Sequence, residues 1–207
     1  MKTNIILASA SPRRKELLEQ IGISSFKILA ADIDETPLNT EQPSKYVSRM
    51  ASSKAYEVWK KIAASSASLA GTRTLVLASD TSVVLNDEIF GKPETKLDFL
   101  SMMARLSSQT HEVITSVHVL ELIGSGIKSE KAISVVTKVS FKSITMQEME
   151  CYWRTGEPAD KAGGYGIQGR GALFVQSIEG SYSSVVGLPL KETAELLVGY
   201  KIDVWSL

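Results

Sequence analysis

The sequence predicts an α/β fold, and three kinds of segment carry that prediction. Short continuous apolar runs at 4–8 and 74–78 are typical of strands buried on both faces of a sheet. Apolar positions that recur every three or four residues indicate amphipathic helices between and after these runs. Two long strand-like segments, 111–122 and 132–141, surround a Gly-Ser-Gly turn, and Asn86-Asp87 is predicted to form a hairpin turn between shorter strand-like segments at 83–85 and 89–90. Strands and helices that share one chain in this way define the α/β class.

Composition limits the classes of function. The chain has 207 residues, 43% of them hydrophobic, which suffices for a sizeable core in one domain or one domain with two lobes. The 23 Lys and Arg residues balance the 23 Asp and Glu residues, so no global positive field favours nucleic acid or an anionic membrane. The chain lacks an apolar run of about 18 residues, so we expect no membrane span. A single cysteine, Cys151, fits a reducing, cytoplasmic compartment.

The first predicted helix begins with features of an anion site. Ser11 as N-cap and Pro12 at the first helical position are a strong start signal. Arg13 and Arg14 follow, although the helix dipole favours anions in a first turn. Free backbone amides, the hydroxyls of Ser9 and Ser11, and two guanidinium groups would suit a phosphate. The alternative is a solvated basic turn.

Carboxylates follow two of the predicted strands. Asp32, Asp34 and Glu35 come after the second strand-like run, where they fit either a hard cation or a solvated acidic loop. Asp80 follows the most strand-like run of the chain. Ligands of open α/β sheets collect beyond the carboxyl ends of strands, and an Asp there needs water, a partner or a metal ion.

Two lysines are candidates for contact with an anion. Lys54 lies on the apolar stripe of a predicted helix, four residues from both Met50 and Val58. Its side chain either snorkels to solvent or points its ammonium at an anion in a cleft. Lys92 stands between a glycine and a proline, which preset the backbone, and this lysine could meet a phosphate.

The segment 163–171 contains five of the fourteen glycines and surrounds Gln168. It satisfies G-x-G-x-x-G, but the dinucleotide site that this pattern marks needs a strand before it and a helix after it. Here a helix-like segment, 146–153, precedes the loop and a strand-like segment, 172–178, follows it, so we reject that site. A loop shaped to hold a ligand is the favoured interpretation, and a turn without special function is the alternative.

Other reactive residues do not form a site. His111 and His118 are an odd number of residues apart, so on one strand they face opposite sides and cannot form a local metal pair. Neither a Ser-His-Asp nor a Cys-His grouping supports nucleophilic catalysis, and Cys151 is expected to pack within a helix. The Ala- and Ser-rich stretch 63–71 is predicted to be a surface loop.

The candidates together suit hydrolysis of a nucleotide phosphoanhydride. Cations would position the phosphates, carboxylates would hold a divalent metal ion and a water, and an amide would pair with a base edge. The candidate residues in that order are Arg13, Arg14, Lys54 and Lys92; Asp34, Glu35 and Asp80; and Gln168.

In these motifs the chain resembles the Maf nucleoside triphosphate pyrophosphatases, over nearly its whole length. The matching segments are 7–14 (Leu-Ala-Ser-Ala-Ser-Pro-Arg-Arg), 80–81, 91–93, 160–169 and 186–190. The resemblance implies one Maf-like domain over 1–207, with an elongated, mixed, bent sheet flanked by helices and two lobes around a central cleft, similar to inosine triphosphate pyrophosphatases. It also implies hydrolysis of a nucleoside triphosphate to the monophosphate and pyrophosphate, with Mg²⁺ or Mn²⁺.

The resemblance further implies roles for individual residues. Asp80 matches the catalytic base or metal-side carboxylate, and Gly-Tyr-Gly-Ile-Gln in the loop resembles the branch that acts on dTTP and UTP. Positions tied to base choice in that branch are matched by Arg13, Thr81 and Gln168. Other substrate or metal contacts are matched by Ser9, Arg14, Asp34, Glu35, Lys54 and Lys92.

Three functional hypotheses follow. The preferred one is a house-cleaning enzyme for dTTP, UTP and modified pyrimidine triphosphates. The alternatives are a 7-methyl-GTP pyrophosphatase and a nucleotide-binding regulator of cell division that does not hydrolyse its ligand. The expected partner is a small-molecule nucleotide, without nucleic acid or membrane, and a homodimer is an assembly that the resemblance allows.

Overall fold

A computed structural model describes residues 3–64 and 72–205. The strands are β1 (Thr3–Leu7), β2 (Lys27–Ile28), β3 (Arg73–Leu85), β4 (Glu88–Phe90), β5 (Thr110–Ile123), β6 (Gly126–Phe141) and β7 (Val175–Glu179). The α-helices are α1 (Pro12–Gln20), α2 (Pro43–Ala64), α3 (Lys96–Leu106), α4 (Met146–Trp153), α5 (Tyr182–Val186) and α6 (Leu190–Gly199). Short 3₁₀ turns between α4 and β7 are Glu157–Asp160, Ala162–Gly164 and Arg170–Phe174.

Within the described residues the strands form a mixed sheet in the order β2-β1-β3-β5-β6-β7, with β4 paired to β3. Strand β1 runs parallel to β2 and β3, whereas β4 is antiparallel to β3 and β7 is antiparallel to β6. Parallel neighbours need a crossover, which α1 supplies between β1 and β2. This topology confirms the predicted α/β class with a mixed sheet and flanking helices.

The chain divides into two compact units. Unit 1 consists of Met1–Asp80, Ser116–Ser134 and Gly187–Leu207, and unit 2 consists of Thr81–Thr115 and Val135–Val186. The prediction of a single domain with two lobes around a cleft stays a prediction.

The core of unit 1 forms where α2 packs on the sheet. The apolar stripe of α2 is buried as its spacing predicts, and Ala55, Val58 and Ile62 pack with residues of β1, β3 and β5. Each fully buried aliphatic side chain of this kind contributes about 1.5–3 kcal/mol relative to an exposed one. This packing fixes the face of α2 that also carries Lys54.

The core of unit 2 is rich in aromatic rings. Phe99 of α3 is fully buried and lies near two rings of α4, with centroid distances of 6.0 Å to Tyr152 and 5.2 Å to Trp153. Tyr152 also meets Phe174 edge to face at 5.1 Å. Such pairs add about 0.5–1.5 kcal/mol each beyond their burial. They hold α4 and the 3₁₀ turns that follow it in one cluster.

Several local predictions are confirmed. The Ser11 side chain caps α1 by accepting from the Arg14 amide, and Asn86 and Asp87 form the β3–β4 turn with φ of 52° and 62°. These left-handed values suit Asn and Asp in a two-residue hairpin turn. The rejection of a dinucleotide site also holds, because α4 precedes the glycine-rich segment and β7 follows it.

Other local predictions are wrong in extent. The second predicted strand is paired only at Lys27–Ile28, and the strand predicted over 172–178 begins as a 3₁₀ turn and becomes β7 at Val175. Asp80 does not stand beyond the end of a strand: β3 continues through it to Leu85. The reason is that no Gly or Pro interrupts β3 and its apolar residues resume at Val83, so nothing ends the strand.

Part of the predicted surface loop lies outside the described residues. Ala63 and Ala64 end α2, whereas 65–71 are not described. Among the residues that the structure does describe, no helix has both the length and the apolar character needed to cross a membrane.

The two histidines contact different groups. His111 is 1% exposed, and its Nε2 lies 2.8 Å from the Tyr165 hydroxyl. His118 Nε2 instead lies 3.1 Å from Glu130 Oε2. Burial lowers the pKa of His111 to about 4, so this imidazole is neutral in the folded protein at neutral pH.

We expect His111 to make the protein less stable in mild acid. Between pH values of about 6.5 and 4 the unfolded chain binds a proton at His111 that the folded chain does not, so stability falls as pH falls. From pH 7 to pH 5 the loss due to this residue should be about 2 kcal/mol. Urea unfolding of the wild type and of His111→Gln at both pH values measures it. Equal pH slopes in the two proteins would contradict the prediction.

Candidate active site

A buried lysine links two carboxylates in unit 1. Lys54 Nζ lies 2.6 Å from Glu35 Oε1 and 2.6 Å from Asp80 Oδ1. The side chains of Lys54 and Asp80 are 13% and 11% exposed, whereas that of Glu35 is 47% exposed. We call these three residues the Lys54 cluster. The Lys54 ammonium thus points at two carboxylates of the protein instead of at solvent, and its contact with a ligand anion stays a prediction.

Three elements of unit 1 place the Lys54 cluster. Helix α2 carries Tyr46 and Lys54 two turns apart, β3 carries Asp80, and Glu35 comes from the segment before α2. Tyr46 donates from its hydroxyl to the backbone carbonyl of Glu35 at 2.8 Å, which ties that segment to α2. Burial, with added effects of Asp80 and Glu35, raises the pKa of Tyr46 to about 12, so the phenol stays protonated and keeps this hydrogen bond.

The basic N-terminal end of α1 also belongs to unit 1. Arg14 donates from Nε to the carbonyl of Gly187 at 3.0 Å and from Nη1 to Ser9 Oγ at 3.3 Å. Burial lowers the pKa of Arg14, Asp80 and Glu35 oppose that effect, and Arg13 adds to it. The guanidinium group stays charged in spite of burial because its ordinary pKa is above 12. The effects of Asp80 and Glu35 on its pKa place Arg14 close to the Lys54 cluster.

Gly187 is a shared acceptor in this arrangement. Its carbonyl oxygen accepts from Arg14 and also from Ser79 Oγ, at 2.9 Å. Ser79 stands next to Asp80 on β3, so the same carbonyl connects α1 to the strand that carries Asp80. Two donors on one buried carbonyl hold these side chains in a fixed relation.

The two carboxylates fit a divalent cation that other ligands complete. Glu35 and Asp80 direct one oxygen each at a common point, now taken by Lys54 Nζ. Magnesium is usually bound by one or two carboxylates together with substrate phosphates and water. Within 3–64 and 72–205 no group of three or more His, Cys, Asp or Glu side chains could hold a metal ion by itself. The donor set therefore suits a metal ion that arrives with phosphate ligands.

Asp34 does not join the other two predicted metal ligands in such a group. Its Oδ1 accepts from the Thr36 amide at 2.9 Å, and the side chain is exposed. Hydrogen bonding by Thr36 lowers the pKa of Asp34. The observed role of Asp34 is thus to close a local turn in front of α2.

The remaining predicted site residues belong to unit 2. Thr81 Oγ1 lies 2.9 Å from Thr115 Oγ1, and Thr115 in turn donates to the carbonyl of Ser184 at 2.7 Å. Lys92 and Gln168 are both exposed, Lys92 just after β4 and Gln168 in the glycine-rich segment. The structure thus brings Ser9, Arg14, Glu35, Lys54 and Asp80 together within unit 1.

Comparison with known proteins identifies the family. The sequence profile described as Maf-like protein matches residues 4–200. This chain belongs to the Maf-like family. The Maf-like chain is 51% identical over 193 residues to a dTTP/UTP pyrophosphatase of Pseudoalteromonas atlantica, which covers 93% of this chain and 95% of that protein. It is 42% identical over 205 residues to a dTTP/UTP pyrophosphatase of Hahella chejuensis, with 99% and 96% covered.

A solved structure supports the fold of this Maf-like chain. A HAM1 protein from Coxiella burnetii superposes with a TM-score of 0.50 at 13% identity, over 96% of this chain and 100% of that one. At this identity the likeness concerns the fold alone, and it agrees with the predicted class.

Sequence reasoning missed two residues that fix segments carrying predicted site residues. Tyr46 precedes Met50 and Lys54 by four and eight residues, so the helical spacing was a usable signal for its place on the same face. Glu157 is the second: its carboxylate accepts hydrogen bonds from the glycine-rich segment. No sequence signal marks it, because its partners there are backbone amides.

We expect removal of the Lys54 ammonium to expose repulsion between Glu35 and Asp80. Lys54→Met should lower the free energy of unfolding by about 1–3 kcal/mol, because two carboxylates lose their common cation. Millimolar Mn²⁺ should recover part of that loss by taking the place of the ammonium. Thermal unfolding with and without Mn²⁺ measures both effects.

Lys61→Met is the matched control, because Lys61 lies on the same helix but bonds to the Ala30 carbonyl and pairs with one carboxylate, that of Glu57 at 4.0 Å, instead of two. An Mn²⁺ response of Lys54→Met no larger than that of this control would show that the two carboxylates do not attract the ion.

Proposed function

We propose that this Maf-like protein hydrolyses dTTP and UTP to the nucleoside monophosphate and pyrophosphate. The observation that carries the proposal is the similarity to proteins named dTTP/UTP pyrophosphatases, at 42–51% identity over 93–99% of the chain. The charges of unit 1 support it, because buried cations beside carboxylates suit a substrate with several phosphates. The single cysteine remains the argument for a reducing, cytoplasmic setting.

In the proposed reaction Asp80 is the general base. Lys54 Nζ holds Asp80 Oδ1 at 2.6 Å, which leaves Oδ2 to accept a proton from the attacking water. The water oxygen forms a bond to the α-phosphorus as the bond between the α-phosphorus and the α,β-bridging oxygen breaks. The electron pair of that bond leaves with pyrophosphate, so charge builds on the leaving group.

The basic residues of unit 1 would bind that charge. The amides at the start of α1, together with Arg13, Arg14 and the Ser9 hydroxyl, are the donors that we assign to the phosphates. Arg14 is held in place by Gly187 and Ser9, so little side-chain entropy is lost when an anion arrives.

A divalent cation is part of the proposal. Glu35 and Asp80 would hold Mg²⁺ or Mn²⁺ through carboxylate lone pairs that Lys54 Nζ leaves open, beside the ammonium rather than in its place, and Asp34 remains a ligand that the family resemblance alone implies. When bound, the ion neutralises charge on the triphosphate and on the departing pyrophosphate. Lys54 keeps the two carboxylates from repelling each other and orients both of them.

Three residues of unit 2 are proposed substrate contacts. Lys92 would bind a phosphate as a point charge, and Thr81 and Gln168 would contribute to base choice together with Arg13. The carboxamide of Gln168 offers one acceptor and two donors, which match the alternating groups on a pyrimidine edge. The exposure of Gln168 and Lys92 leaves both free of a core role.

A panel of triphosphates tests the activity. The wild type with Mn²⁺ or Mg²⁺ should release pyrophosphate from dTTP and UTP, and much less from dCTP, dGTP and 7-methyl-GTP. Asp80→Asn should reduce turnover at least about 100-fold while it leaves the fold intact, because the amide cannot take the proton. Asp87→Asn, in the exposed β3–β4 turn, is the control.

Pyrophosphate assays and circular dichroism on the three proteins provide the measurement. Release of orthophosphate alone by the wild type would contradict the proposed reaction, and full activity of Asp80→Asn would contradict the base assignment. Tight binding of dTTP with no hydrolysis over hours would favour a regulator instead of an enzyme.

Gln168→Glu should disturb base preference more than turnover. The substitution replaces the two amide donors with an acceptor of similar shape, so the pairing with a pyrimidine edge is lost. We expect the ratio of kcat/KM for dTTP over dCTP to fall about tenfold. Gln176→Glu, on the exposed side of β7, makes the same chemical change outside the site and should leave the ratio unchanged. An unaltered ratio in Gln168→Glu would refute the assigned role.

A further inference from the structure

The glycine-rich segment of unit 2 wraps around a carboxylate of the protein itself. Glu157 stands at the start of the first 3₁₀ turn after α4, and its side chain accepts three hydrogen bonds. Its Oε1 accepts from the Tyr152 hydroxyl at 2.7 Å and from the Gly171 amide at 3.2 Å. Its Oε2 accepts from the Arg170 amide at 2.9 Å. The amides of the segment thus already hold an anion.

The side chains of Tyr152 and Glu157 accept hydrogen bonds from both ends of the turn that carries Gln168. On one side the Gly166 amide donates to the Tyr152 hydroxyl at 3.0 Å. On the other side the amides of Arg170 and Gly171 donate to Glu157. Gln168 therefore lies two residues from an anchored amide in each direction, and its own side chain is exposed.

The spacing of the glycines follows from this packing. A Cβ atom at Gly169 would lie 2.4 Å from Glu157 Oε1, and one at Gly166 would lie 2.6 Å from Lys161 Cε. Lys161 in turn donates from Nζ to the backbone carbonyl of Glu157 at 2.8 Å. At these two positions the backbone lies directly against the ends of the Glu157 and Lys161 side chains, so a Cβ atom there would displace them.

The protonation states of Glu157 and Tyr152 suit the binding of backbone amides. Burial of Glu157 opposes ionisation, but hydrogen bonds from Tyr152 and from the two amides lower the pKa of the carboxyl overall. Burial raises the pKa of Tyr152, so its hydroxyl stays a donor. An ionised acceptor makes stronger hydrogen bonds to amides than a neutral one.

We propose that Glu157 and Tyr152 are positioning residues that fix the backbone around Gln168 and thereby set the preference for the base. The inference rests on the proposed function, in which Gln168 pairs with a pyrimidine edge. A misplacement of about 1 Å at a recognition group can cost on the order of 100-fold in rate. Neither residue contacts the reacting atoms in this proposal.

The first test replaces the carboxylate by a neutral group of the same shape. Glu157→Gln should lower kcat/KM for dTTP about 10- to 100-fold and for dCTP much less, so the ratio between them narrows about tenfold. Glu150→Gln is the matched control, because Glu150 lies on α4 and its side chain, which is 45% exposed, pairs with Lys96 at 3.0 Å. A merely structural role would reduce the active fraction for every substrate alike and leave the ratio unchanged, and that result would overturn the proposal.

Hydrogen exchange supplies a readout that does not depend on activity. Glu157→Gln should speed amide exchange at residues 166–171 at least about tenfold relative to the wild type, with no change in β1. If the wild type hydrolyses no triphosphate, the proposed function fails, and the exchange rates then decide by themselves whether Glu157 holds the segment. Unchanged exchange in the variant would overturn the positioning role.

A second variant displaces the Glu157 carboxylate by a change in the glycine-rich segment. Gly169→Ala keeps an allowed backbone, with φ of −111°, but its Cβ would displace the Glu157 carboxylate. Gly169→Ala should therefore lower the ratio of kcat/KM for dTTP over dCTP, as Glu157→Gln does. In the double variant Gly169→Ala with Glu157→Ala, the clash is absent, so the second substitution should add little to the first. Fully additive effects on the ratio would contradict the proposed coupling.

Discussion

The ammonium of Lys54 is the constraint on which the rest of unit 1 depends. Two carboxylates that approach one point in a largely buried setting repel each other, and an uncompensated buried charge costs several kcal/mol. Lys54 removes that cost for Asp80, whose side chain is 11% exposed, and it also neutralises the more exposed Glu35. Its own position is fixed by the packed face of α2, so the core and the charged site are two consequences of one helix face.

The contacts around this cluster leave few of its groups able to move. Tyr46 fixes the backbone at Glu35, and the Gly187 carbonyl receives both Arg14 and Ser79. Groups held in this way need little reorganisation when a charged ligand binds, which is the condition under which electrostatic stabilisation is most effective. Unit 2 uses a comparable device, in which a carboxylate organises a backbone segment rather than a ligand.

Local signals in the sequence predicted the parts of the fold that local forces determine. The cap at Ser11, the left-handed turn at Asn86 and the apolar stripe of α2 each depend on neighbours within a few residues, and each is observed. The end of the strand before Asp80 was misplaced, because the pairing of β3 with β4 extends the strand past that residue. Pairing partners are set by tertiary structure, which a single segment does not report.

Some residues of the candidate site could be predicted to lie together, but their contacts could not. Residue types and motif resemblance singled out Ser9, Arg14, Glu35, Lys54 and Asp80, which the structure brings together. The sequence left two interpretations of Lys54 open, because the spacing of apolar residues fixes a helix face but not the groups opposite it. Glu157 escaped notice because backbone amides carry no sequence signature, and the glycines around it were read as a mark of a ligand.

The bond from Arg14 to Gly187 joins positions 173 residues apart along the chain. Contacts of such long sequence separation are made late and slow folding, because a large loop must close before they form. During synthesis on the ribosome, the guanidinium of Arg14 has to wait for 173 further residues before its acceptor is made. The arrangement around Asp80 is therefore completed only after Gly187 has emerged, and nascent fragments that end before Gly187 lack it.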